Sequence, residues 1–452
     1  MTANATPIRR VVAARSEKIR SPRWNGGISH SGQETPLECA QDRAWCPFAQ
    51  LAHELRSVRA CCSFAGFWRQ DGRHPVANIG GLSTSCGRNP VVIFHANHSW
   101  LMNSQRPGVI VTGSSGLLGQ PACRSLAEAG YEVFALDQVS LPESLKGNPH
   151  VRDLECDLTD DQNLRRALAE VRSGCEGKLA SIIHLAAYYD FSGEDSELYQ
   201  KVTIEGTDRL LNALSDFDLE QFVFSSTMLV HKPCEVGQHI SEEDPLEGKW
   251  PYPQSKIETE RLIRDDHPDV RSVLLRVSGV YTEDGVQPTL VQQIKRIYEK
   301  DFQSHFFPGD PRTGQSFVHV EDVVDAIVRT VERRHDIGAK TPILIGEPEP
   351  PSYEQLQDEI GCLIHREAWS TIYVPKPVAK AGAAVTDAVS GGEAFIKPFM
   401  VSMADDHYAL DVSRAEKLLG WRPKHQLLDT LPTIIKRLQD DPKAWYQKNG
   451  ME

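Results

Sequence analysis

Several things are scarce in this chain. No apolar run among its 452 residues approaches the roughly 18 that a membrane-spanning helix needs, so no membrane span is expected and a soluble protein is. Ten cysteines are too few for a disulfide scaffold, and no C-x-x-C pair suggests zinc or a thioredoxin-like motif. Free thiols imply a reducing compartment, and the expected location is cytoplasmic. Positive charge is also short: 49 Lys+Arg face 62 Asp+Glu, a net charge of −13. The shortage is uneven. Residues 1–101 carry 12 basic and 6 acidic side chains, net +6, and the remaining 37 basic and 56 acidic residues leave −19. So acidic a body excludes a general nucleic-acid binder, whose phosphate contacts need a basic face.

The first hundred residues lack any sustained period of 3.6 or 2, so a packed domain is not expected there. Arg9, Arg10, Arg15, Lys18, Arg20 and Arg23 against Glu17 alone superficially fit a mitochondrial transit peptide. A poorly structured basic extension over residues 1–104 is the preferred reading. Met102 stands seven residues before the first strand-like run, and a compact enzyme could begin there. On that reading residues 1–101 are dispensable for cofactor binding. Cys39, Cys46, Cys61, Cys62 and Cys86 share this stretch with His95 and His98. Their spacing fits no usual ligand pattern, and no metal is expected.

From Val109 the pattern becomes strand, glycine turn, helix, strand. Val109-Ile110-Val111 is an apolar β-branched run, Gly113, Gly116 and Gly119 punctuate the next eight residues, and 131–137 reads as a second strand. Such glycines let the backbone approach a pyrophosphate, whose charge the following helix N-terminus receives. Asp137 closes the second strand 24 residues after Gly113. An acid there accepts from an adenosine ribose and repels a 2′-phosphate, which favours NAD over NADP. Further strands are expected over 151–156, 181–185, 221–224 and 271–277, with helices over 160–171 and 199–214. This alternation predicts an α/β fold with a Rossmann-type, doubly wound parallel sheet and ligands at the strand C-terminal ends.

The glycine spacing is G-x-x-G-x-x-G, not G-x-G-x-x-G, and with it the chain resembles the NAD-dependent epimerase/dehydratase family, the extended short-chain dehydrogenases/reductases. Matching motifs follow in the family's order over about residues 107–440. Asp157-Leu158 resembles the pair that contacts adenine, and His184-Leu185-Ala186-Ala187 the fourth-strand motif that lines the cofactor. Phe224-Ser225-Ser226-Thr227 resembles the fifth-strand catalytic segment, and Tyr252-Pro253-Gln254-Ser255-Lys256 the Y-x-x-x-K motif. Residues 275–281, 317–322 and 418–423 match later landmarks. The resemblance implies NAD held by Gly113, Ser115, Gly116, Leu117, Leu118, Gly119, Asp137, Asp157, Leu158, Leu185, Ala186, Ala187, Ser225, Tyr252, Lys256 and Val280. It also implies a cofactor domain over 105–281 and a smaller substrate-binding part over 282–452, interleaved with the sheet. A homodimer built on a helix bundle is common in the family.

Tyr252 and Lys256 are four apart and share one helix face. Tyrosine, with a reference pKa of about 10, is a poor base at neutral pH. An ammonium one turn away, with oxidised nicotinamide, would favour the phenolate. The resemblance implies that Tyr252 exchanges a proton with a substrate hydroxyl while hydride passes to or from nicotinamide. Lys256 would also hold the nicotinamide ribose, and Thr227 would bond the same substrate oxygen. The function expected is hydride transfer at a secondary alcohol or ketone carbon of a small-molecule substrate, a sugar or sugar-like compound. Alternatives are a 3β-hydroxysteroid-dehydrogenase-like or ketone-reductase enzyme with exchanging cofactor and, from another class, a dinucleotide-sensing module. The Tyr252–Lys256 pair argues against the sensor.

Two positions depart from the family. Thr203 replaces an asparagine that helps to orient the lysine region, and Gln315 replaces an arginine that binds a sugar-nucleotide diphosphate, with Arg312 an imperfect substitute. His184 and His319 are expected to be structural. Tyr188, Tyr189 and Phe191 are candidate pocket aromatics, and Asp190 and Glu194 solvated charges. Residues 378–396 are expected to form a helical lid. Trp369, Tyr373, Phe395 and Phe399 are core or pocket alike on sequence grounds.

Overall fold

The structure is a computed structural model that describes residues 106–389 and 398–451. The expected basic extension, Met102, Phe395 and the far end of the expected lid therefore lie outside the described residues.

The apolar run at 109–111 forms β1 (Gly108–Thr112), which is buried along its whole length, as an inner parallel strand covered on both faces must be. Around it lie β2 (Glu132–Asp137), β3 (Val151–Glu155), β4 (Lys178–His184), the two-residue β5 (Asp218–Leu219), β6 (Phe222–Thr227) and β7 (Ser272–Val277). Three short strands follow, β8 (Gly279–Tyr281), β9 (Phe306–Pro308) and β10 (Phe317–His319), then β11 (Thr341–Ile345) and β12 (Ile372–Val374). The main sheet is parallel in the order β3-β2-β1-β4-β6-β7-β11, with β5 beside β4. Chain order reverses between β1 and β4, the place where ligands bind in such sheets. Strands β8 and β10 pair separately, as do β9 and β12.

The helices in chain order are α1 (Gly119–Glu128), α2 (Glu143–Lys146), α3 (Asp161–Cys175), α4 (Glu205–Ala213), α5 (Pro251–Asp265), α6 (Pro288–Tyr298) and α7 (Val320–Glu332). They continue with α8 (Tyr353–His365), α9 (Lys376–Val389), α10 (Pro398–Met403), α11 (Ser413–Leu419), α12 (Leu427–Asp440) and α13 (Pro442–Lys448). Ala122 and Leu126 of α1 join Val323 and Ile327 of α7 and Trp421 on one face of the sheet. Leu164 and Leu168 of α3, Leu210 of α4 and Ile263 of α5 cover the other, against Phe134, Phe222 and Phe224. A third cluster, Tyr281, Leu290, Ile294, Leu431 and Ile435 among it, builds the C-terminal part. Each such fully buried side chain contributes roughly 1.5–3 kcal/mol. Among the described residues no helix is long and apolar enough to cross a membrane.

Local chemistry sets the element ends. Helix α3 starts where the Asp160 carboxylate accepts the amides of Gln162 and Asn163, at 2.8 and 3.1 Å, and it runs beyond 171 to Cys175. Strand β6 extends beyond 224 because β7 pairs with it as far as Thr227↔Val277. The expected helix over 199–214 is instead a π-helix, Tyr199–Ile204, leading into α4. Side chains take over backbone groups there. The Thr207 hydroxyl donates to the Thr203 carbonyl at 2.5 Å, and the Thr203 hydroxyl accepts the Tyr188 amide at 3.0 Å.

Candidate functional site

The glycine loop joins β1 to α1. Gly113 has φ +68°, and a Cβ on it would press on the Ala186 backbone. A Cβ on Gly119 would overlap the Gly113 carbonyl oxygen and Ser114, so the loop closes on itself only with glycine there. Helix α1 has no capping side chain and no acid in its first turn; the Gln120 amide donates to the Gly116 carbonyl and Pro121 has none, so the amides open to an anion are those of Leu117, Leu118 and Gly119. Asp137, at the end of β2, accepts the Ser115 amide at 3.0 Å and so ties the loop to the second strand. This donor-rich loop fits the diphosphate of a dinucleotide.

The remaining expected cofactor residues line up along the same sheet edge. Asp157 follows β3, with its carboxylate accepting the Thr159 amide and hydroxyl, both at 2.7 Å. Leu158 is buried, and its carbonyl accepts from Arg209 at 2.6 Å. Leu185, Ala186 and Ala187 leave the end of β4; the Leu185 amide donates to the Thr112 carbonyl and the Ala186 amide to its hydroxyl. A single cavity of about 1100 Å³ touches Leu117 and Leu118 of the loop, Ser225 and Thr227 of β6, Tyr252 of α5 and Val280 of β8. Lys256 lies behind that wall.

Pro251 opens α5, so Tyr252 stands in its first turn and Lys256 one turn on. Lys256 is 3 % exposed, and its Nζ donates to the Ser225 carbonyl at 2.7 Å, 4.7 Å from the Phe224 ring centroid and 5.8 Å from that of Tyr252. Burial pushes the Lys256 ammonium down to about 7, opposed by the Glu260 carboxylate. Burial, and then the Tyr189 phenol, raise Tyr252 above its ordinary value, opposed by a hydrogen bond with Thr227. Desolvation dominates in the resting chain, and the phenol keeps its proton.

Thr203, in the place of the family's asparagine, spends its hydroxyl on the Tyr188 amide and leaves Lys256 to the Ser225 carbonyl. His184 is fully buried between Thr112, at 2.7 Å from Nδ1, and Thr207, at 2.9 Å from Nε2. Because Thr207 donates onward to Thr203, Nε2 carries the ring proton and Nδ1 accepts from Thr112. Burial lowers His184 to about 3. The folded value lies below the unfolded one, so this histidine's share of stability is intact above about pH 6.5 and is lost as pH falls towards 3. At pH 5 the loss is about 2 kcal/mol. Urea midpoints at pH 7 and pH 5 check this, and His184→Gln should shrink the difference.

Sequence reasoning missed part of the chamber wall. Trp250, 7 % exposed, meets Phe191 edge-on at 5.6 Å and the Tyr252 ring at 5.5 Å. Tyr189 stands edge-on to Tyr252 at 4.9 Å. Phe399 of α10 completes the set 6.2 Å from Trp250 and closes over Gly193, where a Cβ would run into its ring. Met400, Met403, Val378 and Ala383 extend this surface. Trp369 is core, with its indole N–H on Ser304 Oγ at 2.8 Å, and Tyr373 is an exposed surface residue. Asp190 accepts from Ser192 within its own loop, at 2.9 and 2.8 Å.

The charged groups of the chamber are already engaged. Lys249 donates to both Asp406 oxygens at 2.8 Å, Arg296 bonds Tyr353 and the Gln292 carbonyl, and Lys295 lies over the Tyr446 ring. Gln315 lines the chamber, whereas Arg312 is exposed and paired with Asp310 at 2.6 Å outside it. Behind the wall sits a network that the motifs did not reveal. Glu260, one turn beyond Lys256, is held by Ser226 at 2.5 Å and by Arg276 at 3.1 and 2.7 Å, and Arg276 also meets His231 Nε2 at 3.0 Å.

The family described as "NAD dependent epimerase/dehydratase family" matches residues 109–346. The chain is 27 % identical over 254 residues to a UDP-glucose 4-epimerase of Bacillus subtilis, covering 50 % of this chain and 73 % of that protein. It is 26 % identical over 377 residues to a decarboxylating sterol-4-alpha-carboxylate 3-dehydrogenase of Candida albicans, covering 75 % and 100 %. Its fold resembles that of a Thermus thermophilus UDP-glucose 4-epimerase solved with NAD, with a TM-score of 0.56 at 21 % identity over 74 % of this chain and 99 % of that one.

Proposed function

The chain belongs to the NAD dependent epimerase/dehydratase family, whose members are NAD-dependent enzymes, and from that premise we propose that it interconverts a secondary alcohol and its ketone on a bulky, mainly apolar molecule. The carrying observation is the wall of the chamber beside Tyr252. Trp250, Phe191, Phe399, Met400 and Val378 present apolar surface around a volume of about 1100 Å³, enough for a multi-ring or long-chain substrate. A sugar-nucleotide diphosphate needs charge-assisted contacts. Among the described lining residues Lys249 is paired with Asp406, Arg296 spends donors on Tyr353 and the Gln292 carbonyl, Lys295 lies over the Tyr446 ring, and Gln315 offers only an amide. The likeness to the Candida sterol dehydrogenase agrees with this, and the cofactor would then exchange at each turnover.

In this reading residues 105–281 carry the cofactor and 282–452 most of the substrate wall. The loop amides from Leu117 to Gly119 would face the diphosphate, Asp137 the adenosine ribose, and Asp157 and Leu158 the adenine. Leu185 to Ala187, Ser225 and Val280 would line the nicotinamide end, with Lys256 on its ribose. Bound NAD supplies the hydride acceptor and, when reduced, the donor. Thr227 and Tyr252 grip the substrate oxygen, so the carbon bearing it is held still. In the reducing direction the Tyr252 phenol gives its proton to the carbonyl oxygen as hydride reaches the carbon. In the oxidising direction the Tyr252 phenolate takes the hydroxyl proton as hydride departs. The Lys256 ammonium and the Thr227 hydroxyl favour that phenolate.

The test is to mix the purified chain and NAD with a 3β-hydroxysteroid or with UDP-glucose, following NADH absorbance and sugar inversion. Net NADH from the steroid and neither signal from UDP-glucose is expected. Inversion of UDP-glucose without NADH would sink the apolar-substrate reading in favour of a sugar epimerase.

A further inference from the structure

Away from the chamber, three stretches distant in sequence converge where β10 meets α7. His319 ends β10 and is 1 % exposed. Its Nδ1 accepts the Glu321 amide at 3.4 Å, and its Nε2 is buried with no hydrogen-bond partner. Glu283, just after β8, brings a carboxylate oxygen to 3.6 Å from that nitrogen. His425, from the segment before α12, lays its ring 4.2 Å from that of His319, and its Nε2 is 3.6 Å from Glu321 Oε2. One ligand atom each from His319, Glu321 and His425 fall within 4.8 Å of one another.

We propose that His319, Glu321 and His425, with Glu283 as fourth ligand, bind a divalent transition metal, with zinc the best match. Two donors on one tetrahedral zinc at about 2.0–2.1 Å are about 3.3–3.4 Å apart, so the Glu283–His319 and Glu321–His425 spacings of 3.6 Å need to close by a few tenths of an ångström. The wider ones, within 4.8 Å in the trio, need to close by side-chain rotation of the exposed Glu321 and the half-exposed His425. Two imidazoles with carboxylates suit zinc, copper or nickel rather than calcium or magnesium. The second layer is in place as well. His425 Nδ1 lies 3.1 Å from Asp322 Oδ2, and that carboxylate is 1 % exposed and held by the Lys424 and His425 amides at 3.0 and 2.9 Å. A carboxylate on the far nitrogen of a ligating histidine fixes its proton there and leaves the other lone pair for the metal. In His425 that lone pair, on Nε2, is left to Glu321 Oε2 at 3.6 Å. In His319 the ion takes Nε2 and the ring proton moves to Nδ1, so the long contact from the Glu321 amide is given up.

The ion would staple the end of β8, the β10–α7 joint and the entry to α12. Its role is structural, and it stands apart from the alcohol chemistry. Metal-stripped full-length chain is titrated with zinc chloride and, separately, with cobalt(II), alongside His425→Ala and Glu321→Gln. Both substitutions are at solvent-reaching side chains, and circular dichroism and NAD binding report whether each variant is folded. The cysteines and histidines before residue 102 are common to all three proteins, so the quantity read is the difference between proteins. The wild type is expected to bind one zinc more than His425→Ala, with Glu321→Gln weakened roughly tenfold or more. A tetrahedral cobalt band should be present in the wild type and absent from His425→Ala. Equal zinc stoichiometry and affinity in all three proteins, or a cobalt spectrum indifferent to both substitutions, overturns the assignment.

Discussion

Replacing Tyr252 by phenylalanine is expected to lower turnover by about 10²–10⁴-fold, the range that positioned acid–base groups supply, while NAD affinity stays within a few-fold of the wild type. The substitution deletes one hydroxyl and keeps the ring, so the edge-on contact with Tyr189 at 4.9 Å and the packing on Trp250 at 5.5 Å survive. The glycine loop and Asp137, which would hold the other end of the dinucleotide, are untouched. Single-turnover kinetics with the best alcohol, set beside NAD titration, separate the two effects. Unchanged turnover would mean that the proton travels by another route. Because burial keeps the resting phenol protonated, alcohol oxidation by the wild type should quicken as pH rises and ketone reduction should not. The same series in Tyr252→Phe should lose that dependence.

Removing Arg276 is expected to cost about 3–5 kcal/mol of stability. Arg276 and Glu260 have side chains only 5 % and 4 % exposed, and the guanidinium grips both carboxylate oxygens. Arg276→Met would strand the Glu260 carboxylate in the interior with only Ser226 to answer it. It would also free His231 Nε2, on a ring that burial and the neighbouring guanidinium hold neutral, down to about 4. Removing both charges, as in Arg276→Met with Glu260→Leu, should recover much of the loss, because the penalty belongs to the unpaired charge rather than to the missing attraction. Guanidinium unfolding of the two single variants and the double variant gives the coupling directly. If Arg276→Met unfolded at the wild-type midpoint, the pair would not be buried as described. The network lies one turn from Lys256, whose ammonium the Glu260 carboxylate favours, so the double variant should also lose activity at neutral pH even where it folds.

Much of this fold was legible because its signals are local. A β-branched run, glycines at a turn and an acid at a strand end each need only their neighbours in the chain, and the strands over 108–112 and 132–137 came out where those signals stand. The π-helix at 199–204 was not legible. Within it the Thr203 hydroxyl accepts the Tyr188 amide, a partner fifteen residues away that no local pattern reveals. Arg312 was the nearer cation in sequence to the Gln315 position, yet Asp310, two residues before it, draws it out to the surface.

By itself the sequence determined the parallel sheet, the glycine loop and the four-residue spacing of Tyr252 and Lys256, since periodicity and helical pitch act within one segment. Only the tertiary structure decided what surrounds them. Phe399 meets Trp250 and Gly193, Arg276 meets Glu260, and His425 meets His319. The paired residues are 16 to more than 200 positions apart, and nothing in the order of the chain ranks one such meeting above another. Burial and desolvation arise only when those segments close together. They set whether Tyr252 holds its proton, whether Lys256 keeps its charge and whether the chamber welcomes an apolar substrate.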